Sequence, residues 1–196
     1  MPDLYRPFIT GQRCYLRGLE EADLTERYLE WLNDAEVTRA LEVGRRPATL
    51  DDLYAFWRAT TTDATQVVLA VCDRATNLHI GNVKLAHIHP VHRRADFSIM
   101  IGDKAYWGGG YGSEATRLMV DYGFRRLNLH SIYLGVLANH GAARRVYEKN
   151  GFRLDGTDRQ AWWADGTWHD VHRMSILAAE YAALTAQTVP TKESTE

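Results

Sequence analysis

The spacing of hydrophobic residues along this chain of 196 residues predicts strands and helices that alternate in a definite order. Strands are predicted where apolar residues alternate with polar ones or follow one another closely, at residues 13–17, 67–72, 80–88, 96–101 and 131–138. Helices are predicted where apolar residues return every three or four positions, at residues 20–32, 34–37, 49–57, 114–125, 141–149 and 178–186. Thr49, with Asp52 three residues on, is expected to form a capping box, and Asn139 is expected to cap the helix at residues 141–149. Two more strands, residues 152–164 and 167–177, flank Asp165-Gly166, which is a strong hairpin signal.

The lengths of the connections predict how these strands are arranged. Only short links join the three strands between residues 67 and 101, so we expect them to be antiparallel. A helix separates the strand that ends at residue 101 from the one that begins at residue 131, and this crossover predicts a parallel pair. The fold class is therefore α/β (α+β), with a mixed central sheet of about seven strands whose first half is antiparallel.

A cluster of glycines joins the predicted strand at residues 96–101 to the helix that follows. Gly108, Gly109, Gly110 and Gly112 surround Tyr111. Glycines let the backbone turn tightly and approach a ligand closely. The start of a helix adds unpaired N–H groups and a partial positive charge. The sequence therefore predicts that this loop binds a phosphate or a diphosphate.

Other interpretations of the glycine loop are weaker. Residues 110–115 fit the dinucleotide fingerprint G-x-G-x-x-A, but the next strand ends at Asn139 without the acid that this fingerprint requires. A nicotinamide-dependent oxidoreductase would also need more chain after the loop for a full doubly wound sheet. The Walker pattern lacks its Lys-Ser/Thr pair. A mobile surface loop is disfavoured because strand and helix signals flank the glycines so closely.

Composition and charge narrow the class of protein. Apolar residues make up 45% of the chain, charged residues 24%, and the formal net charge is −2, so neither nucleic acid nor a membrane is an expected partner. Cys14 and Cys72 lie in apolar runs and are expected to be reduced, and the N-terminus lacks a signal peptide. We expect a cytoplasmic protein with a single domain at residues 1–186 and a polar, disordered tail at residues 187–196. The histidines show no metal-ligand spacing, so no metal site is predicted.

Three stretches jointly resemble the GNAT acetyltransferases, in particular the branch that acetylates N-terminal amines of ribosomal proteins and various small amines. Residues 107–115 are similar to the Q/R-x-x-G-x-G/A acetyl-CoA loop of that family, with Trp107 in place of Gln or Arg. Residues 139–152 are similar to its N…A…YEK.GF segment, and residues 165–170 to its final hairpin. Residues 31–37 also look like this branch. The resemblance implies helices on both faces of the sheet and a parallel pair that splays apart.

The resemblance also implies a binding site for acetyl-CoA in that splayed gap. The residues that it assigns to the cofactor are Met100, Ile101, Trp107, Gly108, Gly109, Gly110, Tyr111, Gly112, Ser113, Asn139, Ala142 and Arg145. A main-chain N–H near Met100 or Ile101 would polarise the thioester carbonyl. Asn139 would lie beside the pantetheine arm.

Tyr147 is the candidate acid that protonates the departing thiolate, because a phenol has a pKa of about 10. It follows Asn139 by about two helical turns, so both side chains can face one cleft. An amphipathic core residue is the alternative interpretation. Asp96 is the candidate base that takes a proton from the amine, directly or through water. It shares a strand face with Ser98 and Met100, and an ordinary carboxylate at a strand edge is the alternative.

The acceptor pocket is expected between the first helices and the final hairpin. The residues assigned to it are Trp31, Asp96, Ser98, Trp163 and Trp168, whereas Trp57 is expected in the core. A protein N-terminus, an amino sugar and other small amines are all compatible acceptors.

The expected function is transfer of an acetyl group from acetyl-CoA to a primary amine by direct attack in a ternary complex. Two alternatives on the same fold are a transferase of a longer acyl group and a non-catalytic module that binds acyl-CoA. The presence of both Asn139 and Tyr147 argues against the second. Exposed sheet edges and the terminal hairpin favour a homodimer.

Overall fold

The computed structural model describes residues 6–188 of the chain and places its strands in one mixed sheet of eight. The strands are β1 Ile9–Thr10, β2 Cys14–Gly18, β3 Val67–Asp73, β4 His79–His89, β5 Arg94–Ile101, β6 Ser131–Leu137, β7 Arg153–Ala164 and β8 Thr167–Leu177. Their order across the sheet is β1-β2-β3-β4-β5-β6-β8-β7. Seven of these strands were predicted from the sequence, and β1 was missed because two residues are too few to show an alternation.

The described residues also form six α-helices. They are α1 Glu26–Asn33, α2 Ala35–Thr38, α3 Leu50–Thr62, α4 Tyr111–Arg125, α5 Gly141–Lys149 and α6 Ala178–Thr188. The predicted capping box of α3 is confirmed, since the N–H of Asp52 donates to the Thr49 hydroxyl and the N–H of Thr49 donates to the Asp52 carboxylate. Within residues 6–188 no helix is both long and apolar enough to span a bilayer.

The predicted start of the first helix at residue 20 is wrong. Residues Glu21–Asp23 form one turn of 3₁₀ helix, and α1 begins only after the cap residue Thr25. The carboxylate of Asp23 turns inward and receives two hydrogen bonds of 2.6 Å from the buried guanidinium of Arg17. This ion pair fixes residues 20–24 as a turn. The acidic stretch therefore pairs with a buried arginine and does not start the helix.

The predicted parallel pair in the middle of the sheet is confirmed, and so is its splay. β5 and β6 pair at Arg94–Ser131, Ala95–Ile132 and Asp96–Tyr133, and their remaining residues diverge. All other neighbouring strands are antiparallel. A wedge-shaped gap therefore opens between the carboxyl-terminal ends of β5 and β6.

Apolar side chains form two clusters on opposite faces of the sheet, so the prediction of helices on both faces is confirmed. The larger cluster packs α4, α5 and α6 against one face, with Met119, Tyr147 and Tyr181 among its buried members. The smaller cluster packs α1 and α3 against the other face, around Tyr28 and Leu53. Both clusters border the gap, since Phe97 belongs to the first and Met100 packs against the second.

The two cysteines are buried on opposite faces of the sheet. Cys14 belongs to the larger cluster and Cys72 to the smaller one. Burial raises the pKa of the Cys14 thiol to about 12 and that of the Cys72 thiol to about 11. Their side chains point away from each other across the sheet, so they cannot pair with each other.

The predicted hairpin of β7 and β8 is confirmed. Asp165 and Gly166 both have positive φ, 51° and 72°, as a tight two-residue turn requires. The tip is tied to the segment after α2, because Arg39 Nε lies 2.7 Å from the Asp165 carboxylate. The predicted boundary after residue 186 falls inside α6, and residues 189–196 of the predicted tail lie outside the described residues.

Candidate active site

The gap between β5 and β6 exposes main-chain groups along the wall formed by β5. Gly102, directly after β5, donates its N–H to the carbonyl of Ile80 on β4 at 2.9 Å. Because hydrogen-bonded and non-hydrogen-bonded pairs alternate in an antiparallel ladder, Met100 also directs its N–H to β4, whereas Ile99 and Ile101 direct theirs into the gap. Of the two expected donors to a thioester carbonyl, this geometry favours Ile101 over Met100.

The glycine loop lies at the open end of the gap and presents unpaired donors. Gly108 and Gly110 have left-handed φ values of 75° and 86°, which glycine adopts without strain. Among the described residues, the main-chain N–H groups of residues 108–113 make no hydrogen bond. They run from the loop into the first turn of α4, which begins at Tyr111 and not at residue 114 as predicted, and the first of its donors to be paired is Glu114. The loop therefore has the free amides that an anion site at a helix start needs.

Side chains of the loop hold it in place and do not block it. The indole N–H of Trp107 donates to the carbonyl of Ile101 at 2.7 Å, which ties the loop to the end of β5. The hydroxyl of Tyr111 turns away from the loop and donates to Asp73 on β3 at 2.8 Å. The hydroxyl of Ser113 accepts a hydrogen bond from Asn150 at 3.2 Å. Trp107 thus has a structural contact in place of the Gln or Arg contact of the motif.

Tyr147 lies on α5 beneath the gap, with only 9% of its surface exposed. Its ring packs edge-on against Phe97 of β5 and Phe152, at centroid distances of 6.1 and 5.9 Å. Its hydroxyl has no hydrogen-bond partner within residues 6–188, and burial raises its pKa to about 12. The side chain therefore packs in the core and keeps its hydroxyl proton unengaged, and its role as an acid stays a prediction.

Asn139 lies just beyond the end of β6 and contacts the final hairpin. Its amide nitrogen is 3.2 Å from Nδ1 of His169, whose Nε2 is 3.2 Å from the carbonyl of Ala164. If Asn139 donates to Nδ1, the ring carries its proton on Nε2 and donates to that carbonyl. The expected helix cap is different, because the N-cap of α5 is His140 and not Asn139.

Two other predicted cofactor residues lie on the exposed side of α5. Ala142 and Arg145 occupy its first turns and face solvent. The guanidinium of Arg145 lies near the backbone of Gly141, where an added Cβ would be 3.4 Å from Nη1. Their contact with the cofactor stays a prediction.

Asp96 lies at the point where β5 and β6 part, on the opposite face from Phe97. Its carboxylate is 39% exposed, and Nδ1 of His87 is 3.9 Å away. Burial raises its pKa above the ordinary carboxyl value, although His87 and Lys84 oppose this change. A carboxylate of raised pKa at the closed end of a gap is suited to accept a proton. Ser98 follows it on the same face of the strand.

The tryptophans predicted to line the acceptor pocket fall in two different environments. Trp163 and Trp168 form an exposed pair at the hairpin tip, with ring centroids 5.2 Å apart. Trp31 is 6% exposed and packs against Gly102, where even a Cβ would collide with its ring. One edge of Trp31 nevertheless lines a cavity of about 360 Å³ together with Glu30, Asp34 and Lys104. Trp57 packs in the smaller cluster, as expected.

Two side chains near the site were not found from the sequence. His169 lies in the hairpin motif at residues 165–170, but its contact with Asn139 joins residues far apart in the chain. Arg13 lies beside Gly110, with its Nε 3.6 Å from the position of an added Cβ. Neither contact has a local sequence signal. In the described part of the chain, no three His, Cys, Asp or Glu side chains are grouped to hold a metal ion.

Comparison with known proteins gives concordant matches. The family model described as an acetyltransferase (GNAT) domain matches residues 13–153. The spermidine N(1)-acetyltransferase of Escherichia coli is 35% identical over 86% of this chain and 88% of its own length. The corresponding enzyme of Vibrio cholerae is 32% identical over 85% of this chain and 94% of its own. A crystal structure of the Vibrio cholerae spermidine N-acetyltransferase with CoA and spermine superposes with a TM-score of 0.79, at 30% identity over 87% of this chain and 98% of that one.

Proposed function

The chain belongs to the GNAT acetyltransferases and is an N-acetyltransferase that uses acetyl-CoA, and from this premise we propose that its amine acceptor is a polyamine of the spermidine type. The observation that carries the proposal is similarity to named spermidine acetyltransferases over most of both chains. This similarity favours a polyamine over the N-terminal amines of ribosomal proteins, which the motifs suggested as acceptors. Both expectations share the same donor, fold and reaction, and they differ in the acceptor alone.

Carboxylates beside the end of β5 support a cationic acceptor. Glu30, Asp34 and Asp103 line one cavity with Trp31, next to the glycine that follows β5. Ammonium groups of a polyamine pair with carboxylates, and its methylene segments pack on an aromatic ring. Two cations offset part of this charge, since Lys104 lies 2.7 Å from Asp34, and Arg27 pairs with Asp103 and lies 5.3 Å from the ring centre of Trp31. A polyamine bound here would compete with both.

The donor end of the site has hydrogen-bonding groups that suit acetyl-CoA. Free amides at residues 108–113 suit its diphosphate, and the inward N–H groups of Ile99 and Ile101 suit the amide and thioester carbonyls of its arm. Acetyl-CoA supplies the activated acetyl group. The task of this chain is to hold that group in the gap and keep an amine in line with it, which contributes several kcal/mol to catalysis.

We assign the proton transfers to two residues on opposite sides of the gap. Tyr147 stays protonated at neutral pH and can donate its proton to the leaving sulfur. Asp96 faces the other side of the sheet and can take a proton from the incoming ammonium. Asn139, held by His169, would offer its amide oxygen to the N–H groups of the pantetheine arm.

An amine that carries an anionic group is the second candidate acceptor. Arg39 contacts the hairpin tip through Asp165, and the guanidinium of Arg45 lies 4.7 Å from the ring centre of Trp162. Each of these arginines is paired with a carboxylate, Asp165 or Glu42, and could exchange that partner for a carboxylate or phosphate on the acceptor. This observation is independent of the similarity to spermidine acetyltransferases.

A panel of amines decides between the two acceptors. Spermidine, spermine, a peptide with a free N-terminus and a phosphorylated amino sugar are each incubated with acetyl-CoA, and acetylated products are quantified by mass spectrometry. We expect kcat/KM for spermidine to exceed that for the other classes by at least about tenfold, the factor that corresponds to 1.4 kcal/mol. Preference for the anionic amines, reduced by Arg39→Ala and Arg45→Ala, would overturn the polyamine proposal.

A further inference from the structure

The cationic side chain closest to the glycine loop comes from a different part of the sheet. Within residues 102–113 the sole Lys or Arg is Lys104, whose ammonium is 2.7 Å from both Asp34 and Glu36. The loop itself therefore has no free cation for the negative charge of a diphosphate. A helix start contributes about half an elementary charge, less than such a ligand carries.

Arg13 lies against Gly110, the N-cap residue of α4. Its Nε would be 3.6 Å from a Cβ on Gly110, and its Cζ 4.0 Å. From this placement we propose that Arg13, in the turn between β1 and β2, binds a phosphate group of coenzyme A. The inference concerns the cofactor alone, so it does not depend on which amine is acetylated.

The first turn of α4 holds the turn that carries Arg13. The carboxylate of Glu114 accepts hydrogen bonds from the main-chain N–H groups of Gln12 and Arg13, the latter at 2.8 Å. Gly11 makes this approach feasible, because a Cβ there would lie 2.5 Å from Oε1 of Glu114. The backbone of Arg13 is thus fixed to the same helix start whose amides are free.

The guanidinium of Arg13 is available for a ligand. Among residues 6–188 it makes no hydrogen bond and has no carboxylate within 4.0 Å, and it lines a cavity of about 360 Å³. Arg74, the other cation at this cavity, donates to the carbonyl of Gly11 at 2.8 Å. The nearby Asp73 already accepts from Tyr111 and Thr76. A planar guanidinium without a partner beside free amides is well suited to a phosphate.

Two phosphate sources in coenzyme A share this chemistry, namely the diphosphate and the 3′-phosphate. The test measures dissociation constants by isothermal titration calorimetry for CoA and for dephospho-CoA, which lacks the 3′-phosphate. Wild type is compared with Arg13→Ala and Arg13→Gln. Arg58→Ala, which removes an exposed arginine from α3, is the control for net charge.

We expect Arg13→Ala and Arg13→Gln to weaken CoA binding by about tenfold or more, as for loss of a charge-assisted hydrogen bond, while Arg58→Ala binds as wild type does. The affinity of wild type for CoA should also fall more steeply with added salt than the affinity of the Arg13 variants does. If the Arg13 variants also bind dephospho-CoA more weakly than wild type does, Arg13 binds the diphosphate. If wild type and the variants bind dephospho-CoA equally well, Arg13 binds the 3′-phosphate. Equal CoA affinities of wild type and both Arg13 variants, each melting at the wild-type temperature, would overturn the inference.

Discussion

Burial sets the chemistry of Tyr147. Its phenol has no partner among the described residues and its pKa is raised to about 12, so the proton stays in place until the pH is strongly alkaline. Tyr147→Phe keeps the ring contacts with Phe97 and Phe152 and removes that proton. We predict that kcat falls by about 10²-fold, the usual contribution of a general acid, with little change in the KM for acetyl-CoA. Steady-state kinetics measures both, and a variant with unchanged kcat would make Tyr147 a core residue only.

Asp96 accounts for a second prediction at the scale of the single residue. Its raised pKa means that it becomes a competent base only above the ordinary carboxyl range. We predict that kcat of the wild type falls as the pH drops through this pKa, and that Asp96→Asn lowers kcat by about 10²-fold and removes this limb. The profile of kcat is the appropriate measurement, since titration of the free amine affects kcat/KM instead. If kcat of Asp96→Asn still falls as the pH drops, another group is responsible for that fall.

His169 is expected to position Asn139, and two substitutions separate its two contacts. Asn at position 169 keeps an acceptor near Nδ1, and Gln keeps a donor near Nε2. We predict that His169→Gln raises the KM for acetyl-CoA severalfold, and that His169→Asn retains most of the wild-type value. In an Asn139→Ala background His169→Gln should have no further effect. If both single variants raise the KM for acetyl-CoA equally, the hairpin contact of His169 with Ala164 is needed as well.

At the scale of elements, the glycine loop depends on backbone conformation. Gly110 has a φ of 86°, and a side chain there costs about 1 kcal/mol in the left-handed region. We predict that Gly110→Ala weakens CoA binding by at least about tenfold, because the loop must relax away from the geometry that aligns its amides. Calorimetric titration measures this. Gly156→Ala on β7, where the added Cβ meets nothing within 4 Å, is the matched control and should bind normally.

The sequence was informative about elements and much less so about contacts between them. Local patterns located the long strands, α3 with its cap, α5 and the Asp165-Gly166 turn, because each depends on residues a few positions apart. The start of α1 was missed because the inward pairing of Asp23 has no local signature. The contacts of Arg13 and His169 depend on strand order across the sheet, which a single sequence does not specify.

The whole molecule consists of two halves that share a short parallel seam. β1 to β5 form one half and β6 to β8 the other, and their strands pair for a few residues before they part. A ligand in the gap contacts both halves and binds the folded state alone. We predict that CoA at a hundredfold of its Kd adds about 2.7 kcal/mol to the free energy of unfolding, or roughly 5–10 °C in Tm for a chain of this size.

Differential scanning fluorimetry over a series of CoA concentrations measures this stabilisation. Hydrogen exchange locates it, since the amides of Ile99 and Ile101 should slow most on the wall formed by β5. If CoA slows amide exchange in the glycine loop alone and leaves exchange along β5 unchanged, CoA does not occupy the gap.

The two cysteines on opposite sides of the sheet have a practical consequence for enzymology. Each turnover liberates one sulfhydryl on coenzyme A, which a chromogenic disulfide reagent can titrate continuously. Cys14 and Cys72 are buried and keep their protons, so the native protein should contribute no background colour to that titration. Any slow signal from the protein itself would then report how often the sheet opens.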